Sequence, residues 1–139
     1  MATRIGYRQP QVGAQGFART RKTIGGVVAL LTTDEVTGNA VALVRTPKGF
    51  TVESIYFAID DIDSNGTPTV AVTVGDAGSA NRLIVSSTLG QAGGSTTTLA
   101  ATGLYYKYTV ETDILLTFGT GSATPVAGNA TLYLSGFTE

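Results

Sequence analysis

The sequence predicts an all-β domain, a jelly-roll-like β-sandwich or barrel of about eight strands. Three observations predict this class. Apolar segments rich in β-branched residues recur at roughly 8–15-residue spacing, turns containing Gly, Asn or Pro separate them, and no stretch shows helical periodicity beyond one turn. The sequence has no internal repeat, which argues against solenoids and propellers.

The first three predicted strands are bounded by turn signals. Residues 24–33 form an apolar run rich in β-branched side chains, as in a buried strand. Residues 40–46 form the second strand, between a Thr-Gly-Asn turn and the Pro-Lys-Gly turn at 47–49. The third strand is predicted over residues 50–59.

The fourth predicted strand, residues 68–75, shows the clearest pattern. Val70, Val72 and Val74 alternate with Thr69, Ala71 and Thr73. Successive side chains of a strand point to opposite faces, so the three valines share one face. This alternation predicts a half-buried strand.

The remaining strands are shorter or interrupted by glycine. Strands are predicted over residues 82–86, 104–110, 114–118 and 130–137. In the last of them, Leu132 and Leu134 lie opposite Tyr133 and Ser135. Residues 87–103 are rich in Gly and Thr and are predicted to form a loop.

Composition argues against an enzyme. The 139 residues suffice for one domain with an arm. With no His and no Cys, the chain lacks the commonest general base, thiolate nucleophiles and the commonest transition-metal ligands. Charged residues make up 14% of the chain, against about 25% in an average soluble domain. We therefore predict a non-enzymatic structural or binding protein without a cofactor.

The net charge of −1 conceals a separation of charge along the chain. Residues 1–22 contain five of the nine bases and no acid, which leaves four bases against ten acids in the rest. A basic segment ahead of an acidic body is typical of an interaction tail. We therefore divide the chain into an extended N-terminal arm, residues 1–23, and a β-sandwich domain, residues 24–139.

The arm combines basic residues with spaced apolar residues that can anchor it on a partner. The candidate binding residues of the arm are Arg4, Ile5, Tyr7, Arg8, Phe17, Arg19, Arg21 and Lys22. The alternative is a frayed terminus without function. The arm lacks the apolar run of a signal peptide, and no apolar run in the chain is long enough to span a membrane.

An acidic loop offers a candidate metal site. The sequence from Asp61 to Gly66 matches the opening of an EF-hand calcium loop, but the twelfth position, which should be Glu, is Val72. Two interpretations remain: a solvated hairpin loop, or a calcium site of another kind. The carboxylates of that second interpretation are Asp60, Asp61, Asp63 and Asp76.

A cluster of aromatic residues follows the long loop. Tyr106 and Tyr108 share one face of the predicted strand, with Tyr105 on the other. They form either an aromatic contact surface or an ordinary strand, since Tyr has high β propensity. Nucleic acid is not an expected partner, because the acidic body repels a polyanion; an acidic protein surface suits the arm better.

From about residue 40 onward, three stretches of the chain resemble a known protein family. They are residues 41–49, with the sequence VALVRTPKG, residues 61–82, and the ending, which comprises residues 114–118 and 131–137. Over these stretches the chain resembles small tailed-bacteriophage head proteins of the decoration, or cement, type. The resemblance implies a jelly-roll-like body, made in the host cytoplasm, that is trimeric on the outer capsid surface. It also implies an arm spread over the major capsid protein.

We therefore predict a structural virion protein that binds the outer surface of a phage capsid and stabilises it. The alternative is a ligand- or carbohydrate-binding β-sandwich module of a tail or fibre protein. In that alternative, Tyr106 or Tyr108 contacts the sugar and the arm is dispensable.

Overall fold

The computed structural model of the protein describes residues 20–138. Within this part of the chain, all the regular structure is β-strand except for two single-turn 3-10 helices, Thr32–Asp34 and Leu89–Gln91. The strands are β1 Thr20–Leu30, β2 Ala40–Thr46, β3 Phe50–Ile59, β4 Ala71–Asp76, β5 Ser79–Ser87, β6 Gly94–Thr96, β7 Lys107–Tyr108, β8 Thr112–Thr120 and β9 Gly128–Thr138. None of the described residues belongs to a helix that is long and apolar enough to cross a membrane.

The strands form two antiparallel sheets. The first sheet has the order β1-β9-β3-β6, with the short β7 also paired to β3; the second has the order β2-β8-β4-β5. The chain passes between the two sheets at every step from β1 to β4, and then from β5 to β6, from β7 to β8 and from β8 to β9. This is the arrangement of a double-sheet jelly roll. The predicted fold class is confirmed.

The core lies between the inner faces of the two sheets. The predicted alternation in the fourth strand is confirmed, because Val70, Val72 and Val74 are fully buried while Thr69, Ala71 and Thr73 are not. Leu132 and Leu134 are likewise buried. The largest fully buried apolar side chains are Phe50, Phe57, Phe118, Leu30, Ile62, Leu83, Ile114, Leu116, Leu132 and Leu134.

Several predicted boundaries differ from the observed ones. β1 begins at Thr20, four residues before the predicted strand, so residues 20–23 of the predicted arm pair with β9. Residues 1–19 lie outside the described residues. β6 lies within the predicted loop. The predicted strand over 104–110 is wrong except for β7, because residues 101–105 form turns and Tyr105 has a φ of 59°.

The sandwich has two ends that differ in what they expose. At the loop end, four loops meet: residues 31–39, 60–70, 88–93 and 121–127. The opposite end is the arm end, where β1 begins and where β2 turns into β3 and β4 into β5.

A glycine in β9 allows the strands of the first sheet to approach closely. Gly136 lies between Lys22 of β1 and Val52 of β3, and a Cβ atom at this position would collide with the carbonyl oxygen of Thr51. We expect Gly136→Ala to lower the free energy of unfolding by about 2 kcal/mol, as measured by urea denaturation. Gly26→Ala is the matched control, because a Cβ at Gly26 meets no atom within 4 Å. Equal losses for both variants would contradict this explanation.

Candidate functional site

Asp63 joins two loops at the loop end. Its side chain is buried, with 2% of the residue exposed. The two carboxylate oxygens accept hydrogen bonds of 2.8–3.3 Å from the backbone N–H groups of Asn65, Thr69, Val70, Ala123 and Thr124. Burial alone raises the pKa of this carboxyl, but the N–H donors outweigh burial and hold the pKa of Asp63 well below its usual range. Asp63 therefore fixes loop 60–70 against loop 121–127.

This arrangement rules out the calcium site considered above. The oxygens of Asp63 are occupied by N–H donors, and Asp76 lies toward the arm end, where it pairs with Arg82. Asp60 and Asp61 also accept backbone hydrogen bonds. Among residues 20–138, no three metal-ligating side chains of the His, Cys, Asp or Glu type are grouped so as to hold a metal ion. The calcium interpretation is wrong for these four carboxylates, and Asp63 does not belong to a solvated hairpin either.

Glu35 is a second buried carboxylate at the loop end, with 1% of the residue exposed. Its Oε1 accepts hydrogen bonds from the Ser122 hydroxyl at 3.1 Å and from the Val126 N–H at 3.3 Å. Its Oε2 has no hydrogen-bond partner among the described residues. Burial is the largest influence and raises the pKa of Glu35; the nearby charges of Asp34 and Asp63 raise it further, against the lowering effect of the two hydrogen bonds.

The loops held by these carboxylates expose apolar side chains. Leu31, Val36 and Val126 are 60%, 53% and 38% exposed. Loops that a rigid scaffold holds in place are where binding residues concentrate. Leu31 was predicted to lie in the buried strand over residues 24–33, but β1 ends at Leu30 and leaves it exposed. Val36 and Val126 were not identified, because isolated apolar residues in loops give no periodic signal.

The loop end is also acidic. Asp34, Glu35, Asp60, Asp61 and Asp63 lie there, and no Lys or Arg of the described residues does. The six bases of the described residues lie toward the arm end: Arg21, Lys22, Arg45, Lys48, Arg82 and Lys107. Four acids accompany them, namely Glu53, Asp76, Glu111 and Asp113. Among the described residues, charge is thus also separated between the two ends of the sandwich, with acids alone at the loop end and an excess of bases at the arm end.

Two of the eight predicted arm residues lie in the described part of the chain. Arg21 and Lys22 are exposed on β1, and Arg21 Nη1 forms an ion pair of 2.6 Å with Oε1 of Glu53. The others lie outside the described residues: Arg4, Ile5, Tyr7, Arg8, Phe17 and Arg19. Binding of a partner by these residues stays a prediction.

The tyrosine cluster is largely a packing feature. The rings of Tyr106 and Tyr108 meet edge to face with their centroids 4.9 Å apart, and the Arg82 guanidinium lies 3.9 Å from the centroid of Tyr106. Tyr108 is buried, and its hydroxyl donates a hydrogen bond of 2.9 Å to Asp76. An exposed aromatic contact surface is therefore wrong for Tyr108 and stays a prediction for the half-buried Tyr106.

A different tyrosine pair lies on the outer face of the first sheet. Tyr56 of β3 and Tyr133 of β9 are direct cross-strand partners, and both are exposed. The alternation in residues 130–137 correctly placed Tyr133 on the face opposite Leu132. Its partner was not identified, because cross-strand register between distant segments is not visible in one sequence.

No family model and no curated protein matches the chain. Solved structures do match it. A chain of the cyanophage Pam1 capsid asymmetric unit is 30% identical, with a TM-score of 0.77 over 100% of this chain and 94% of that one. A chain of the Ralstonia phage GP4 capsid is 23% identical, with a TM-score of 0.73 over 88% and 86% of the two chains. A chain of the acid-stable capsid of Helicobacter pylori bacteriophage KHP30 is 14% identical, with a TM-score of 0.58 over 86% and 92%. The last two show similarity of fold alone.

Proposed function

The chain belongs to a family of phage capsid proteins, and from this premise we propose that it is a decoration protein that binds the outer surface of a capsid and stabilises the shell. The observation that supports this role is the separation of charge. Five bases and no acid occupy residues 1–22, ahead of a body with an acidic loop end. An arm of this composition provides contact area on the major capsid protein without any chemical step.

The energetics of such an arm favour several copies acting together. Ordering the arm costs about 1–2 kcal/mol of backbone entropy per residue. Anchors such as Ile5, Tyr7 and Phe17 must therefore become buried on the surfaces that the arm contacts. A homotrimer presents three arms at once, and each later contact forms at a high effective concentration. We propose a homotrimer for this reason.

The alternative of a carbohydrate-binding module has less support. It relied on Tyr106 and Tyr108 as a contact surface, and the burial of Tyr108 removes half of that surface. The arm also has no role in that alternative. We therefore retain the decoration function alone.

Deletion of residues 1–19 tests the proposal, because it removes the arm and keeps all of β1. We expect the apparent affinity for shells that lack this protein to fall at least about 100-fold, since the contact area and three of the basic charges are lost. Cosedimentation with shells of its own phage measures this. Binding by the full chain should also weaken as salt rises.

The matched control is Lys48→Ala, which removes a base from the body and leaves the arm intact. It should bind shells within about threefold of the parent protein. A truncated protein that remains folded and decorates shells with full affinity would refute the role of the arm.

A further inference from the structure

We propose that the loop end of one copy binds the distal N-terminal segment of a second copy, centred on residues 4–8. This inference rests on the proposed function and deepens it, because it names a partner for the arm beyond the shell. The proximal bases, Arg19 and Lys22, remain available to the capsid surface. The contact would link copies directly to one another.

The loop end and the N-terminal segment are complementary in charge. Among the described residues, the loop end has five acids and no base. The segment 1–19 has three bases and no acid. A basic peptide is therefore attracted to this end of the sandwich more than to the arm end, where the six described bases outnumber four acids.

The apolar residues of the two surfaces also match. Val36 and Val126 are exposed on the loops. In an extended peptide, side chains alternate between two sides, so Ile5 and Tyr7 would share the side opposite Arg4. One side of such a segment can cover the valines while the other directs its bases to the rim of acids. Burial of an aromatic anchor within a charged rim is typical of protein interfaces.

The loop end is prepared for binding before a partner arrives. Asp63 and Glu35 hold three loops together through hydrogen bonds to their carboxylates. Loops fixed in advance lose little entropy when a partner binds. Oε2 of Glu35 has no partner among the described residues, and burial, together with the nearby charges of Asp34 and Asp63, raises the pKa of this carboxyl. A bound cation would offset the excess negative charge at this end.

The direction of β1 indicates a second copy as the source of the segment. β1 has 11 residues and spans about 36 Å, and the segment 1–19 enters it at the arm end, opposite the loop end of the same copy. Nineteen extended residues reach at most about 65 Å. The segment must reverse direction to reach the loop end of its own copy. It needs no reversal to reach the loop end of a neighbouring copy. Such a head-to-tail contact closes into a ring when copies are related by rotation, as in a trimer.

Photo-crosslinking in the full chain tests the contact. Tyr7 is replaced by benzoylphenylalanine, and equal amounts of ¹⁴N- and ¹⁵N-labelled protein are mixed, in solution and on shells. We expect crosslinks to residues 31–39 or 121–127, with both isotopes in the same crosslinked pair. Crosslinks confined to one isotope, or located only elsewhere on the protein or on the capsid protein, would overturn the proposal.

Charge substitutions at an exposed position provide the second test. Val36→Lys places a base in the acidic loop end and should reduce mixed-isotope crosslinking at least about fivefold. Val85→Lys, at a similarly exposed position on β5, should leave it within about twofold. Equal effects of the Val36→Lys and Val85→Lys substitutions would also overturn the proposal. Cosedimentation of the same full-length proteins with shells is measured in parallel. It distinguishes loss of the contact between copies from loss of the decoration function.

Discussion

The Asp63→Asn variant is expected to lose about 4 kcal/mol of unfolding free energy at neutral pH, as measured by urea denaturation. The carboxylate of Asp63 is buried and accepts hydrogen bonds from backbone N–H groups of two loops. In asparagine, one of the two oxygens becomes an NH2 group. That group would face N–H donors, leave them unsatisfied and place donors against donors.

The matched control is Asp61→Asn, two residues earlier in the same loop. Asp61 is exposed and accepts one backbone hydrogen bond, which an asparagine oxygen can also accept. We expect it to cost less than about 1 kcal/mol. Similar losses for the two variants would mean that the effect reflects charge at the loop end and not the hydrogen bonds of Asp63.

The pH dependence of the same variant gives an independent check. Because the pKa of Asp63 is lowered in the folded protein, its stabilisation is present in full above its unfolded pKa, about 3.9, and is lost as the pH falls toward the folded value. Asparagine does not titrate. The stability difference between parent and variant should therefore be constant from neutral pH down to about pH 5 and smaller near pH 3. A difference independent of pH over this range would contradict the lowered pKa.

Alternation and turn signals predicted the fold because they report burial directly. The boundaries of β2 and β3 agree with the predicted strands, and the period-2 pattern of residues 70–74 agrees with the observed burial. β6 was missed because residues 94–96 lack alternating apolar residues; they form a strand by pairing with the end of β3. The β propensity of Tyr105 was misleading, since its N–H bonds to Val52 from a turn.

The candidate surfaces were less predictable, because they depend on contacts between distant segments. The spacing of acids in residues 60–66 is the same whether they bind calcium, water or backbone. The role of Asp63 was decided by N–H groups of Ala123 and Thr124, about sixty residues away in the chain. In contrast, the separation of charge was visible from composition along the chain. The gathering of bases at one end of the sandwich was not visible there, because four of the six described bases come from separate segments of the body.

Asp76→Asn is expected to lower the free energy of unfolding by about 3 kcal/mol at neutral pH. Asp76 is buried and accepts a hydrogen bond of 2.6 Å from Arg82 Nε, one of 2.9 Å from the Tyr108 hydroxyl, and others from backbone N–H groups of the β4–β5 turn. Burial raises the pKa of this carboxyl, but Arg82 and Tyr108 outweigh burial and lower it. Without the carboxylate, Arg82 remains largely buried with no charge partner of its own. Thermal and urea denaturation measure the loss.

Tyr108→Phe is the companion variant, because it keeps the ring and removes one donor to Asp76. We expect it to cost about 1 kcal/mol, and less than that in the Asp76→Asn background, since the two residues share one hydrogen-bond network. Additive losses would mean that the hydroxyl and the carboxylate act independently.

Shell binding distinguishes a loss of stability from a loss of capsid contact. Below its melting temperature, the folded Asp76→Asn protein should decorate shells as the parent does, because the arm is intact. A folded variant that no longer decorates would instead place the Arg82–Tyr106 surface in the capsid contact.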